Sequence, residues 1–433
     1  MNPDDLFTAG FKSEPYWWKD APRPHIGAAA LPKEIDVLVI GAGYTGLMAA
    51  RETALGGRST LAIDAESAGW GCSSRNGGQV STSIKPSFSA LSGRHNEQMA
   101  FAIRKEGIAA LDYIDDLIRR ERLDCDWRRV GRYHAAHNRR QYDKLAAFAS
   151  NQPRGLEVPI EMVPRAEQHR EIASDLYHGG AIYALPGALH PAKYHLELLR
   201  IARAAGAQVV DQCAAQAIER DGAKFRVRTG KGTIVARDVV LATNGYSGPL
   251  SPWHRRRVIP IGSYLIATAP ESPERMRALI PHDRMVSDTR RVVFYYRLSP
   301  DHRSILFGGR VAYLETNPLV SAPRLHRCLT AIFPSLKETP ISHSWMGFVA
   351  YTFDTLPHVG QQDGIYYAMG YCGSGVSLAT YFGMRVGQQV LGRTEGKTAL
   401  DNVPFQTRPL YTGNPWFLAP SVWWYRLLDA LPI

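Results

Sequence analysis

Between residues 35 and 64 the chain carries glycines and one carboxylate at the spacing that a phosphate-bearing ligand requires. The β-branched apolar run Ile35-Asp36-Val37-Leu38-Val39-Ile40 has the composition of a buried parallel strand. It ends in Gly41-Ala42-Gly43-Tyr44-Thr45-Gly46, and a helical stretch from Leu47 to Leu55 follows, stopped by Gly56-Gly57. A second strand, Ser59 to Ile63, delivers Asp64, 21 residues after Gly43. In such a unit Gly41 permits the tight turn and Gly43 lets the backbone approach a pyrophosphate. Gly46 lets the helix lie close on the strand. The helix N-terminus holds phosphate charge with its free N–H groups and dipole, and the carboxylate takes ribose hydroxyls. Strand, turn, helix, second strand and acid are all present, which predicts dinucleotide binding; the acid argues against a 2′-phosphate.

The fingerprint does not separate one dinucleotide from another. The loop after Asp64 is rich in glycine and serine and includes Ser73-Ser74-Arg75-Asn76-Gly77-Gly78-Gln79. It offers many backbone donors and little bulk, which suits passage beneath a second large planar group. A solvent loop has the same composition, so two further segments matter. Val239 to Ala242 is a buried-strand pattern ending in the polar turn Thr243-Asn244-Gly245. Ile365 to Gly370 is another, followed by Tyr371-Cys372-Gly373-Ser374-Gly375-Val376 and a helical run to Leu391. A positive helix end aimed at a flavin would stabilise the negative charge that builds up during its reduction.

Together these four segments resemble the D-amino-acid-oxidase-type FAD oxidoreductases, the group that includes glycine oxidase and sarcosine oxidase. The string from Ser73 to Gln79 is most similar to the γ-glutamylputrescine oxidase branch. So are Pro260-Ile261-Gly262-Ser263-Tyr264, Phe307-Gly308-Gly309-Arg310 and Trp345-Met346-Gly347. The resemblance runs from about residue 15 to the end. It implies an α/β flavoprotein of two domains, a Rossmann-like FAD-binding domain and an antiparallel-sheet substrate domain. The expected FAD-binding parts are residues 33–95, 190–250 and 345–395, and the expected substrate parts are 96–189 and 251–344. Residues 396–433 form an aromatic tail expected to lie back over the body, although such a stretch also suits a membrane interface.

The chemistry implied is oxidation of a carbon–nitrogen bond in a small amine or γ-glutamylated amine, with oxygen or another acceptor taking the electrons. A flavin carries the hydride chemistry while the protein orients substrate, so no catalytic triad is expected. Relatives with covalent flavin carry a Cys near the C-terminal flavin segment or a His after the first acid. Trp345 to Gly360 has no Cys and Gly69 to Gln79 has no His, so non-covalent FAD is expected. Sarcosine-type relatives place a Lys after the second glycine turn to hold the substrate carboxylate; here that residue is Ser377. Unless Arg297 supplies the cation, the substrate carboxylate lies far from the oxidised carbon. Trp345, Tyr371 and Tyr264 are expected beside the substrate as aromatic walls. A glycine- or D-amino-acid-type oxidase or dehydrogenase stays open as the alternative.

These segments need positioning elements. Charged helical patterns occupy Asn96 to Arg122 and Arg139 to Gln152, and Glu197 to Ala205 leads into a strand from Ala207 to Cys213. Period-two alternation marks strands at Ser263 to Thr268, Val292 to Arg297 and Ile305 to Phe307, with a helix from Ala322 to Phe333. The 433 residues suit two domains, and 45% hydrophobic with 21% charged content is that of an ordinary folded chain. The net charge of +11 admits an RNA-acting flavoprotein, but the basic residues form no long block, so no nucleic-acid partner is expected. The five cysteines form no CxxC pair, which argues against zinc and fits a reducing compartment. The acidic start, Met1 to Asp5, precedes no apolar run, and no stretch reaches the length of a membrane span. A cytoplasmic protein is the expectation.

Overall fold

Two large sheets organise the chain, and the computed structural model describes residues 6–26, 30–310 and 317–430. The acidic start, Met1 to Asp5, and the last three residues of the tail lie outside the described residues. The first sheet has eight strands, with Glu34–Ile40 at its centre. On one side it pairs in parallel with Thr60–Ile63, and that strand pairs with Gln208–Val210. On the other side lies Gly232–Leu241, which changes partner along its length. Its first half pairs antiparallel with Lys224–Thr229 and its last residues pair in parallel with Ile365–Met369. The central strands are buried on both faces, which is why they read as continuous apolar runs.

Helices Tyr44–Leu55 and Gly375–Val390 lie side by side on one face of this sheet. Small residues make the approach possible: a Cβ at Gly383 would collide with the Thr45 carbonyl oxygen, and one at Gly387 would reach Glu52 Cβ at 2.6 Å. Helix Glu97–Glu121 covers the pair. Its Asn96 cap accepts from the Met99 N–H, and Ala100, Ile103, Ala110, Ile114 and Leu117 form its buried stripe. That stripe joins the same apolar cluster as Leu47, Val376 and Phe382. The sequence pattern grouped this helix with the substrate segments; its buried face belongs to the nucleotide side.

The second sheet has nine strands, in the order Phe7–Lys12, Ile341–Tyr351, Ile259–Thr268, Ile305–Gly309, Phe294–Leu298, Met285–Asp288, Arg132–Ala135, Gly180–Tyr183 and Ile160–Val163. Most neighbours are antiparallel, but Phe7–Lys12 with Ile341–Tyr351 and Met285–Asp288 with Arg132–Ala135 are parallel. Strand Ile341–Tyr351 therefore carries this sheet well past Trp345, where the sequence pattern turned back to the flavin. Helix Pro318–Ile332 backs the sheet through Leu325 and Leu329, which meet Tyr264, Ile266 and Phe307. It begins earlier than its apolar pattern because Asn317 caps it and Pro318 fills a first-turn position where no N–H is needed.

The N-terminal segment straps the two sheets together. Trp17 is fully buried, and its indole N–H donates to the Asn76 carbonyl at 2.8 Å. Trp18 donates to Ser74 Oγ at 2.9 Å, and its ring lies 4.8 Å from the Arg75 guanidinium. In the tail, helix Leu418–Ala430 is tied down by Asp429, whose carboxylate accepts from the Arg291 and Val292 backbone N–H groups. Trp416, Trp423 and Trp424 stay exposed on its outer side. No helix among the described residues is long and apolar enough to cross a membrane. The short basic runs are engaged locally. Arg257 lies 3.7 Å over the Trp253 ring, Arg128 pairs with Asp283 at 2.5 Å, and Arg139 pairs with Asp143 at 2.9 Å.

Trp17→Ala should cost about 3–5 kcal/mol, the scale for deleting a large buried aromatic. Thermal unfolding followed by flavin fluorescence should show a clearly lower Tm. An unchanged Tm would mean that the strap carries no load.

Candidate active site

One cavity of about 1410 Å³ runs from the Gly41–Thr45 turn to the nine-stranded sheet. At the first end, Gly41 has φ +106°, a left-handed conformation that favours glycine, and a Cβ there would lie 2.8 Å from the Ala242 carbonyl oxygen. A Cβ at Gly46 would collide with the Gly41 carbonyl, so the helix lies directly on the turn. A Cβ at Gly43 would come within 2.8 Å of Ser73 Oγ, which accepts from the Tyr44 N–H at 3.1 Å, so glycine lets Ser73 close on the turn. Asp64 accepts from the Ala42 and Glu66 N–H groups at 2.8 and 3.1 Å, and burial still pushes its carboxyl up to about 6.

The four glycine-rich segments are tied to one another. Thr45 Oγ1 lies 2.6 Å from the Tyr371 hydroxyl, which itself donates to the Ala368 carbonyl at 2.9 Å. Asn244 Oδ1 accepts from the Gly370 N–H at 2.9 Å. Asn76 is the hub of the serine-rich loop: its amide nitrogen donates to the Cys72 carbonyl and its oxygen accepts from the Gly78 N–H. Helix Gly375–Val390 opens onto the cavity with no side-chain cap and no acid in its first turn, so its N–H groups and dipole face the cavity unneutralised.

Gly41, Gly43, Tyr44, Thr45, Asp64, Ser73, Arg75, Asn76, Gly77 and Gln79 line this cavity. So do Thr243, Asn244, Tyr371, Gly373, Ser374, Gly375 and Val376. Other expected positions face elsewhere. Gly46 contacts the turn from below, and Ser74 Oγ donates to the Gly69 carbonyl at 2.6 Å. Gly78 lies against Leu189 and Arg297, and Gly245 lies against Phe348.

The aromatic walls need correction. On strand Ile259–Thr268 the residues Ile259, Ile261, Ser263 and Leu265 line the cavity, so Tyr264 points the opposite way into the core under helix Pro318–Ile332. Trp345 is also buried in core. Its indole N–H donates to the Arg75 carbonyl at 2.8 Å, which makes it a brace for the serine-rich loop. Ser377 does not line the cavity either; its hydroxyl donates to the Ser81 carbonyl at 2.9 Å. Arg297 is buried and donates to the Gly78, Leu189 and Leu298 carbonyls, so it is not the missing cation. Of the expected substrate contacts, only Tyr371 lines the cavity.

Beyond the glycine-rich turns the cavity is lined by residues other than the expected substrate contacts. Tyr246, Tyr295, Phe348 and Tyr351 form its aromatic walls, with Tyr425 and Phe417 from the tail. Lys85, Arg132 and His134 supply its polar groups. The run Arg132-Tyr133-His134-Ala135 alternates polar and apolar residues, a signal that would have marked Arg132 and His134 as facing away from the core.

Residues 36–389 match the family described as DAO, FAD dependent oxidoreductase. The chain belongs to this family. It is 31% identical over 401 residues to "Gamma-glutamylputrescine oxidoreductase" of Escherichia coli (strain K12), covering 92% of this chain and 93% of that one. It is 32% identical over 429 residues to "Probable oxidoreductase OrdL" of Rhizobium meliloti (strain 1021), covering 96% and 97%. Among solved structures it is similar to glycine oxidase from Geobacillus kaustophilus, with TM-score 0.72 and 19% identity over 87% of this chain and 99% of that one.

FAD is the cofactor of this oxidoreductase family, and the residues present fit it. The turn at Gly43, the half-buried Asp64 and the two helix N-termini offer a phosphate seat, a ribose acceptor and a positive field along one continuous cavity. Wild-type protein should release intact FAD on acid precipitation, whereas Gly43→Val should purify without it. Asp64→Ala should weaken FAD binding by about 1–3 kcal/mol, roughly 5- to 150-fold, in a fluorescence titration. Normal FAD content in Gly43→Val would show that the phosphate seat lies elsewhere.

Proposed function

We propose that this FAD-dependent oxidoreductase oxidises the C–N bond of a small amine or γ-glutamylated amine whose carboxylate is remote from the reacting carbon. The supporting observation is where the cations lie: Ser377 supplies none and its hydroxyl is bound to a backbone carbonyl, as is the Arg297 guanidinium, whereas Arg132 and Lys85 line the cavity. An α-amino acid would find no cation from these two positions. The similarity to a γ-glutamylputrescine oxidoreductase agrees with this reading.

Bound FAD supplies the two-electron acceptor for the hydride lost from carbon. Everything else falls to the chain's own residues. The walls formed by Tyr246, Tyr295, Phe348 and Tyr351 hold the alkyl part and limit water around the amine. The open N-terminus of helix Gly375–Val390 favours negative charge developing beside it. The amine loses two electrons and two protons to become an imine, which water converts to a carbonyl compound and the free nitrogen product. Oxygen is the proposed final acceptor. The FAD is proposed to be held without a covalent bond, since burial pushes the Cys72 and Cys372 thiols up to about 11 and leaves neither a ready nucleophile. All five cysteines are free, which suits a reducing compartment such as the cytoplasm.

Anaerobic flavin bleaching against a panel of amines tests the substrate class. Glutamylated or free amines should reduce the flavin at least an order of magnitude faster than glycine, sarcosine or D-alanine. Preference for the short amino acids would favour the amino-acid oxidase reading instead. Ser377→Lys should not install sarcosine activity, because that side chain is directed at Ser81 rather than into the cavity.

A further inference from the structure

Where the cavity meets the nine-stranded sheet it carries positive charge that Asp288, a described acid lining that stretch and paired with Arg290, does not balance. Strands Arg132–Ala135 and Met285–Asp288 run in parallel, with Arg132 opposite Met285 and His134 opposite Ser287. These four residues line the cavity. The Arg132 guanidinium rests on the Tyr183 ring at 4.9 Å, and its Nε is buried without a hydrogen-bond partner. Lys85 reaches in from the loop opposite, its Nζ 5.9 Å from the Tyr351 ring centre. Neither side chain makes an ion pair with any described residue. His134 lies within the field of both, and burial together with Arg132 and Lys85 pushes its imidazole down to about 3. It is therefore neutral at neutral pH, with Nδ1 2.9 Å from Ser287 Oγ.

The other cations along this cavity are satisfied differently. Arg290 is ion-paired to Asp288, Arg291 is paired to Asp429 at 3.2 Å, and Arg75 donates to the Trp70 carbonyl at 2.6 Å. Holding the Arg132 guanidinium half-buried with its Nε unpartnered is costly unless an anion completes it, and the exposed Lys85 adds a second positive charge to the same cavity. Asp288, the acid nearest in sequence on these strands, is already committed to Arg290. An arginine and a lysine that line one cavity beside a neutral imidazole suit one carboxylate: a planar fork for two oxygens and a point charge for the remaining lone pairs.

We propose that Arg132 and Lys85 form a substrate-carboxylate subsite on the nine-stranded sheet. Lys85 stands beside the Gly373–Val376 turn, its Cε 3.9 Å from where a Cβ of Gly373 would lie, so the subsite reaches from that turn onto the strand that carries Arg132. This assignment rests on the amine-oxidase reading for the identity of the substrate, but not for the existence of the anion site. A glutamyl amide or an ω-amino acid presents such a carboxylate.

The test uses the FAD-loaded protein and two readouts. The first is binding of glutarate, with neutral glutaramide as control, by perturbation of the flavin absorbance spectrum. The second is the ratio of kcat/KM for a γ-glutamylated diamine to that for the N-acetylated diamine. Wild type should bind glutarate at least tenfold more tightly than glutaramide. Arg132→Met should lose that preference and lower the kcat/KM ratio at least tenfold, mainly through KM, and Arg132→Lys should restore part of both. Lys85→Gln should act in the same direction, and it carries the test alone if Arg132→Met does not fold. Equal binding of glutarate and glutaramide by wild type would overturn the subsite. So would a kcat/KM ratio that neither substitution changes. If glutarate binds through Arg132 while glutamylated amines fail to bleach the flavin, the subsite stands and the amine-oxidase reading falls.

Discussion

Helices Tyr44–Leu55 and Gly375–Val390 touch through a face almost without side chains, because Gly383 lies on the Thr45 carbonyl and Gly387 lies on Glu52. These two helices come from segments more than three hundred residues apart, and their near contact brings both N-termini to one cavity. A helix N-terminus attracts negative charge only within about its first turn, so the alignment must be close to matter. The hydrogen bond from Thr45 to Tyr371 and the bond from Gly370 to Asn244 then fix the loops that leave the sheet between them. Bulk at Gly383 would push the helices apart and uncouple the phosphate turn from the turn beside the reacting end of the cavity.

Charge is distributed along the cavity in a way that suits a ligand of mixed character. Asp64 and Glu66 stand at the nucleotide end, where backbone donors surround the Asp64 carboxylate. The helix ends in the middle are positive by virtue of backbone alone. Lys85 beside Gly373 and Arg132 on the nine-stranded sheet add full positive charge, set among Tyr183, Tyr351 and a neutral His134. Aromatic surface between these regions accepts apolar groups and tolerates a cation in transit. Each part is anchored by a different sheet, and the strap through Trp17 and Trp18 holds the serine-rich loop where the two sheets meet.

The nucleotide half was legible because its constraints are local. The turn from Gly41 to Gly46, the acid at Asp64 and the second turn before Gly375 each occupy consecutive residues whose types follow from backbone geometry. The substrate half was legible only as a pattern of strands. Tyr264 and Trp345 were placed near substrate on the strength of aromatic character, but which face a strand residue takes depends on register with its neighbours. Tyr264 fell on the helix side, and Trp345 ended beneath Arg75. Arg132, Lys85 and Tyr246 come from three separate segments, and only the assembled fold shows that they line one cavity. The edge strand Phe7–Lys12 carries no strong alternation, since its pairing to Ile341–Tyr351 is irregular. Helix Glu97–Glu121 was legible as a charged helical segment from Asn96 to Arg122, but that pattern does not say which sheet it will cover.

The central claim is that one continuous cavity, framed by two converging helix N-termini, holds FAD with its phosphates at the Gly43–Tyr44 turn and its flavin toward Gly373–Val376. A crystal structure of the FAD-loaded protein tests this most directly. The account predicts pyrophosphate density within hydrogen-bond distance of the Tyr44 backbone or Ser73, the adenosine ribose on Asp64, and the flavin ring between Tyr371 and the aromatic walls at Tyr246 and Tyr295. Flavin density outside that cavity, or phosphates away from the N-terminus of helix Tyr44–Leu55, would contradict it.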